Sequence, residues 1–199
     1  MMSSRQKAGI SCLIVLVFIL VGGCTTHLNK FDIKGPQPEP ADKIPIAITL
    51  IMDNDMCQFK VLEKRQGNKR FFHIGQDICE NVQNLFSHNF ASVEILHSAS
   101  EADTKKSDAT AHMKIIEASV VTRSRIPLVI DSVVVLEWSV TNQNGKILYT
   151  NTLKGIGQDV RTFGGIKTRL KASMQRCLND LMQKFYEDML VVKRLGLHS

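Results

Sequence analysis

The chain has 199 residues, of which 44% are apolar, and a formal net charge of +6. This length suffices for one domain with a sizeable core. The five cysteines form no Cys-x-x-Cys pair and stand at no spacing from histidine that suggests zinc, which excludes the common dithiol redox and zinc-ribbon motifs.

The N-terminal segment has the organisation of an export signal. Arg5 and Lys7 form a short positive region, and the apolar run from Ile10 to Val21 has the length of a secretory signal. Residues 8–23 are too short for a transmembrane helix, which needs about 20 apolar residues. Removing residues 1–23 with their two positive charges leaves 176 residues and a net charge of +4.

The residues that end this segment, Val21-Gly22-Gly23-Cys24, resemble a bacterial lipobox. The resemblance implies that Cys24 becomes the new N-terminus and carries a diacylglycerol and an N-acyl chain. Each buried CH₂ contributes about 0.8 kcal/mol, so two or more chains anchor a protein stably. Thr25 follows the cysteine, in place of the aspartate that favours inner-membrane retention in enterobacterial lipoproteins. We therefore expect an anchor in the outer membrane and a protein that faces the periplasm, away from nucleic acid.

A linker is predicted over residues 25–43. Its centre, residues 35–40, reads Gly-Pro-Gln-Pro-Glu-Pro, and prolines at alternate positions favour an extended polyproline-like chain. The predicted organisation is a signal peptide over residues 1–23, a lipidated cysteine with a proline-rich tether over 24–43, and a periplasmic α+β domain over 44–199.

The first half of this domain is predicted to contain one helix among short strands. Ile46, Ile48 and Leu50 share one face of a strand over Ile44–Met52, because they recur at period two. Apolar residues at helical spacing predict an amphipathic helix over residues 75–89. The other expectations are a turn at residues 53–55, a strand over 57–63, a loop tip over 64–70, a strand over 92–97 and a loop over 98–108.

The second half reads as a β-meander that ends in a long helix. Strands are predicted over residues 109–121, 128–141 and 146–156, and Asn144-Gly145 predicts a tight hairpin between the last two. An apolar stripe at steps of three and four predicts a helix over residues 164–192. Gly155-Ile156-Gly157 lacks the third glycine of a dinucleotide-binding loop, so we expect it to let the chain bend between strand and helix.

Together these elements predict an α+β fold. The expected architecture is a two-layer sandwich, in which a mostly antiparallel sheet of four to six strands carries two amphipathic helices on one face.

The mature chain keeps three cysteines, Cys57, Cys79 and Cys177. An odd number allows at most one disulfide and leaves one thiol free. Cys79 and Cys177 stand on the apolar sides of the two predicted helices, which favours small core residues over a bridge. The sequence leaves open whether any two of the three are bonded.

The sequence carries no visible catalytic set. It has no G-x-S-x-G elbow, and its histidines stand at no spacing typical of a site. We therefore expect no enzymatic activity, no metal and no cofactor beyond the lipid on Cys24. Two basic clusters are the remaining candidates for contact with an anionic ligand or a partner, although solvated loops would have the same composition. The clusters are Lys64, Arg65, Lys69 and Arg70 at one predicted tip, and Arg123 and Arg125 at another.

The order of elements behind the lipobox resembles small outer-membrane lipoproteins that face the periplasm. The residues that carry the likeness are Val21–Cys24, the Ile44–Met52 strand and Val133–Thr150 with its Asn-Gly turn. Similar groups are the lipopolysaccharide-assembly lipoprotein LptE, the YajG-type lipoproteins and the auxiliary lipoproteins of ABC-type lipid transport.

This resemblance implies a non-enzymatic binding or scaffolding role in cell-envelope assembly or transport. Docking would use a sheet edge or a basic tip. The alternative is a carrier of lipid or glycolipid, and an envelope hydrolase is a third reading. The partners expected are the membrane through the lipid anchor, an envelope protein, and anionic lipid or lipopolysaccharide. The identity of the partner and the oligomeric state stay open.

Overall fold

The computed structural model describes residues 25–34, 43–65, 68–98, 107–123, 127–161 and 164–194, with the backbone alone at 64, 65, 193 and 194. These ranges contain eight strands and three helices. In chain order they are β1 (Thr25–Leu28), β2 (Ile44–Met52), α1 (Asn54–Cys57), β3 (Lys60–Arg65), β4 (Asn68–His73), α2 (Gly75–Asn89), β5 (Phe90–Leu96), β6 (Ala109–Arg123), β7 (Val129–Asn142), β8 (Ile147–Val160) and α3 (Ile166–Arg194).

The larger sheet has five strands in the order β5-β2-β6-β7-β8. β2 runs parallel to both of its neighbours, whereas β6, β7 and β8 form the predicted antiparallel meander. Gly145 at φ 76° forms the turn between β7 and β8, as the Asn-Gly pair predicts. Period-two alternation places Leu50, Met113 and Trp138 on the same covered face, where all three are buried.

Both long helices cover that face, so the predicted two-layer α+β sandwich is confirmed. α2 packs on β2 and β5, and α3 packs on β7 and β8. α3 buries its apolar stripe from Leu170 to Val192, and its Phe185 stacks on Phe86 of α2 at a centroid distance of 6.2 Å. Trp138 of β7 meets the edge of Phe185 at 5.2 Å, which joins the two layers at the centre of the core.

Gly155 and Gly157 allow α3 to lie directly on β8. A Cβ at Gly155 would stand 2.6 Å from the Cys177 carbonyl oxygen, and one at Gly157 would overlap the Ser173 carbonyl oxygen. β8 continues through both glycines to Val160, so the prediction that they bend the chain between strand and helix is wrong. Their lack of a side chain serves close packing of helix on strand instead.

The outer edge of β8 is covered by side chains of α3. The Ile156 N–H donates to Asp180 Oδ2 at 2.8 Å, and Lys184 Nζ donates to the Lys154 carbonyl at 2.9 Å. Arg176 donates to the Gln158 carbonyl. Edge strands offer such groups for pairing with another chain, so docking of a partner strand is blocked along this part of β8.

The smaller sheet has the order β1-β4-β3, with β1 parallel and β3 antiparallel to β4. It corrects two predictions. Residues 25–34, expected to be linker, belong to the domain, because β1 satisfies its backbone on β4 and Phe31 is only 5% exposed. The Phe31 N–H also donates to Asp77 Oδ2 at 3.1 Å. The loop tip expected over 64–70 is mostly strand, because Asn68–His73 pairs with both neighbours.

Cys57 and Cys79 form a disulfide, which the sequence left undecided. Cys79 is buried as expected but bonded rather than a simple core residue. The bond joins the end of α1 to the first turns of α2. Cys177 is the free cysteine of the described residues, and burial raises the pKa of its thiol to about 12, so this thiol is unreactive at neutral pH.

Candidate functional site

The fold brings the two predicted basic clusters together. β3 packs against the far half of β6, whose last residue is Arg123. Glu63 of β3 links the two strands, because its Oε1 accepts from Thr122 Oγ1 at 3.2 Å and its Oε2 accepts from Arg70 Nη1 at 2.7 Å. The β3–β4 hairpin and the end of β6 therefore form one continuous basic region.

Arg70 contributes to this region from inside the protein. Its side chain is 12% exposed and that of Glu63 is 3% exposed. A charge-assisted hydrogen bond with so little solvent holds both groups in place. We therefore assign Arg70 to the docking of the hairpin on β6 rather than to contact with a ligand.

Lys69 and Arg123 are the cluster members that face solvent. Lys69 is exposed, and Arg123 is 60% exposed although its Nε lies 2.9 Å from Asp131 Oδ2. Lys64 and Arg65 end β3, and their side chains lie outside the described residues, as do Arg125 and Cys24, the predicted lipidation site.

A third group of basic side chains, absent from the sequence predictions, surrounds Asp159 near the end of β8. Asp159 is fully buried; its Oδ2 accepts from Arg161 Nε at 2.8 Å and its Oδ1 from Arg169 Nε at 3.0 Å. Arg176 lies 3.5 Å away. Burial alone would raise the pKa of Asp159, but the hydrogen bonds from Arg161 and Arg169 outweigh it and hold the pKa below its ordinary value.

This cluster adjoins the first region. The register sets Arg123 opposite Val129, and Val129 opposite Val160, one residue before Arg161. The sequence does contain a signal for the buried pair of Arg169 and Asp159, because Arg169 stands next to Leu170 on the apolar side of α3. An arginine at such a position requires a buried anion as partner.

β1 begins beside the same hairpin. Thr25 pairs with Lys69, and Thr26 pairs with Arg70. The chain therefore enters the domain at the basic tip, one residue after Cys24 in the sequence.

Two histidines lie side by side on β1 and β4. His27 Nδ1 and His73 Nε2 are 2.8 Å apart, and His27 stacks on Phe71 at a centroid distance of 5.4 Å. Burial lowers the pKa of His73, and the charges of Lys60 and His27 lower it further. The pair is therefore held in a hydrogen bond that needs one ring nitrogen without a proton.

An apolar cavity of about 400 Å³ opens between β1 and the first turns of α3. Leu28 and Ala172 contribute apolar surface, and Lys167 and Lys171 supply positive charge. Lys171 Nζ also donates to the Asn29 carbonyl at 3.4 Å. An acyl chain with an anionic head matches this combination of surfaces.

Within the described ranges, no three His, Cys, Asp or Glu side chains are grouped so that they could hold a metal ion. None of the helices in this part of the chain has the length and hydrophobicity needed to span a membrane.

The sequence matches no family model and is not significantly similar to any curated protein. Several solved structures are similar to it, among them those of three bacterial proteins. A DUF330 protein from Xanthomonas campestris has 9% identity and a TM-score of 0.59 over 89% of this chain and 100% of its own.

The other two structures are less similar. A minor lipoprotein from Acinetobacter baumannii has 7% identity and a TM-score of 0.44 over 76% of this chain and 96% of its own. A provisionally assigned lipoprotein from Caulobacter crescentus has 7% identity and a TM-score of 0.43 over 70% of this chain and 92% of its own. Of the three likenesses, that to the Xanthomonas protein shows a shared fold.

Proposed function

We propose that this protein is a lipoprotein, anchored through Cys24 to the periplasmic side of the outer membrane, with a non-enzymatic binding or scaffolding role in envelope assembly or transport. The observation that carries the proposal is the position of β1. The lipobox cysteine is followed at once by a strand that pairs with the folded domain. Anchor and domain are thus joined without a spacer.

The contacts of residues 25–34 support this role. Besides the pairing of β1, Lys34 donates its N–H to Asn179 Oδ1 at 3.0 Å, and Gln175 Nε2 donates to the Asp32 carbonyl. A segment fixed to α3 in this way limits rotation of the domain about its anchor. Such restriction suits a component that presents one surface to a partner at a fixed height above the membrane.

Replacement of the anchor tests the proposal. In a Cys24→Ser variant with export retained, we expect loss of lipid labelling and release from the membrane fraction. The variant should also fail to restore the wild-type phenotype to a deletion strain. Cys12→Ser is the matched control, because Cys12 lies within the signal segment, and it should behave like the wild type. A Cys24→Ser protein that stays labelled would refute the anchor, and one that works fully in soluble form would refute the role.

A second candidate function, carriage of an anionic amphiphile, rests on the cavity lined by Leu28, Ala172, Lys167 and Lys171. Lipid extracted from the purified protein and identified by mass spectrometry would support it. Ala172→Trp should fill the cavity and remove that lipid, whereas Gln183→Trp, at an exposed position of α3, should leave it bound. Crosslinking in intact cells that captures a dominant envelope protein, without bound lipid, would favour scaffolding.

A further inference from the structure

We infer that one end of the domain lies directly on the anionic headgroup layer of the membrane that holds the anchor. This inference rests on the proposed lipidation of Cys24. We call this surface the basic end: it contains the side chains of Lys69, Arg123 and Arg161 and the neighbouring backbone positions of Lys64 and Arg65 at the end of β3.

The first argument is the place where the chain enters the fold. Consecutive Cα atoms are about 3.8 Å apart and neighbouring strands about 4.8 Å apart. Cys24 is covalently bonded to Thr25, and Thr25 pairs with Lys69 on the hairpin. The proposed lipid anchor is therefore attached one residue before the strand that pairs with the basic end. Because Phe31 is buried in the core, residues 25–31 cannot act as a flexible hinge between the anchor and the domain.

The second argument is the excess of positive charge there. The described acids at this end are already paired, Glu63 with Arg70 and Asp131 with Arg123. Asp159 has three arginine partners for one carboxylate, and Arg161 is still 47% exposed. Lys69 has no acidic partner among the described residues, and the register sets it opposite another lysine, Lys64.

The third argument concerns which anion fits. The charges stand at the ends of separate strands, so they face a surface rather than converge on one small ion. Val121 and Val160 are 50% and 48% exposed, and they lie on β6 and β8 near Arg123 and Arg161. Exposed apolar side chains close to cations suit the boundary of headgroups and acyl chains, whereas a dissolved phosphate would leave them in water. Basic residues beside a lipid anchor add the second signal that favours an anionic membrane surface.

Nitroxide labels on the lipidated protein in vesicles test the orientation. One label replaces Lys69 and the control label replaces Lys146, an exposed lysine in the β7–β8 turn at the other end of the meander. On vesicles of phosphatidylcholine with phosphatidylglycerol, we expect a several-fold lower accessibility of the label at 69 to a water-soluble nickel chelate. The label at 146 should remain as accessible as in solution. Equal accessibility of the two labels would overturn the inference.

Charge variants then separate the electrostatic contact from mere proximity to the anchor. With the label at position 69, Lys64→Gln with Arg65→Gln should raise its accessibility on anionic vesicles to the value on neutral vesicles, and high salt should do the same, because salt screens exposed charges. The matched control, Lys146→Gln with Lys154→Gln, removes the same charge from exposed positions away from the hairpin and should change nothing. Identical behaviour of the two double variants would refute the assignment of the basic end.

The failures of the two proposals are distinguishable. Mass spectrometry that finds no lipid on Cys24 would overturn both of them. A lipidated protein whose label at 69 is equally accessible on neutral and anionic vesicles would overturn the orientation and leave the anchor intact. Circular dichroism of each variant confirms that the fold is retained.

Discussion

At the scale of single residues, Asp159 is a buried carboxylate held by arginine side chains. It is fully buried and bonded to Arg169, which is itself 3% exposed and also donates to the Leu128 carbonyl at 2.6 Å. Loss of Arg169 would leave Asp159 Oδ1 without its buried donor, although Arg161 would still neutralise the carboxylate, and a buried acceptor left unsatisfied costs about 1–3 kcal/mol. This one contact ties the end of β8 and the start of α3 to the segment that leads into β7.

We therefore predict that Arg169→Met lowers the free energy of unfolding by about 1–3 kcal/mol, measured by urea denaturation. Arg176→Gln is the control, because Arg176 is exposed and lies 3.5 Å from the same carboxylate, and it should cost less than about 1 kcal/mol. Adding Asp159→Asn to Arg169→Met should recover part of the loss. Equal costs for the two arginines would contradict this account.

The histidine pair gives a prediction on pH. Burial, Lys60 and His27 lower the pKa of His73 below 6.5 in the folded protein. The unfolded chain therefore binds this proton more readily, so stability is full above pH 6.5 and falls as the pH drops from there through the lowered pKa. His73→Gln should flatten this part of the stability profile, and His88→Gln, an exposed position on α2, should not. A profile unchanged by His73→Gln would show that the pair does not titrate with unfolding.

At the scale of elements, the crossing of α3 over β8 depends on two absent side chains. We predict that Gly157→Ala costs about 1–3 kcal/mol, because overpacking forces backbone shifts. Gly165→Ala is the matched control, since a Cβ there meets nothing within 4 Å, and its effect should stay within about 1 kcal/mol. Thermal unfolding of both variants measures the difference. A tolerated alanine at 157 would mean that α3 can move outward freely.

Elements with regular periodicity could be predicted from sequence, and α2 shows why. Its apolar residues recur every three or four positions, and the helix spans Gly75–Asn89 as predicted. β1 gives no such signal, because four residues reading Thr-Thr-His-Leu hold too little pattern and their partner β4 lies about forty positions away. The sequence predicts a loop in place of β4, because Lys69 and Arg70 are typical of an exposed loop when their partners are unknown. In the structure, Arg70 pairs with Glu63.

The same limit applies to the candidate site. Its basic residues are visible in the sequence, since arginine and lysine cluster at two points of the chain. Their adjacency depends on the packing of β3 against β6, a contact between distant segments that local pattern does not encode. Arg161 gives no signal in the sequence, because its place in the cluster depends on the burial of Asp159.

At the scale of the whole molecule, residues 25–34 belong to the same folded unit as the sandwich. Phe31 belongs to the core cluster together with residues of both sheets and both long helices. A deletion of such a side chain costs about 3–5 kcal/mol in a well-packed core. The domain therefore begins at β1 rather than at β2.

We predict that Phe31→Ala releases residues 25–34 while the five-stranded sheet stays folded. Amide hydrogen exchange should show faster exchange for residues 26–31 in the variant, with little change in β6–β8. Asn29→Ala is the control, because its side chain is exposed. Fast exchange of residues 26–31 in the wild type would show that this segment is a free tether after all.

The Cys57–Cys79 bond closes a loop of 22 positions between α1 and α2, and such bonds are characteristic of oxidising compartments. On the export route proposed above, the chain lacks this cross-link in the reducing cytosol, and a loop of about this size contributes about 3 kcal/mol to stability once it is closed. The precursor would then be easier to keep unfolded for passage through a translocon than the mature protein is to unfold afterwards. Under this proposal, oxidation after translocation makes export and folding successive events.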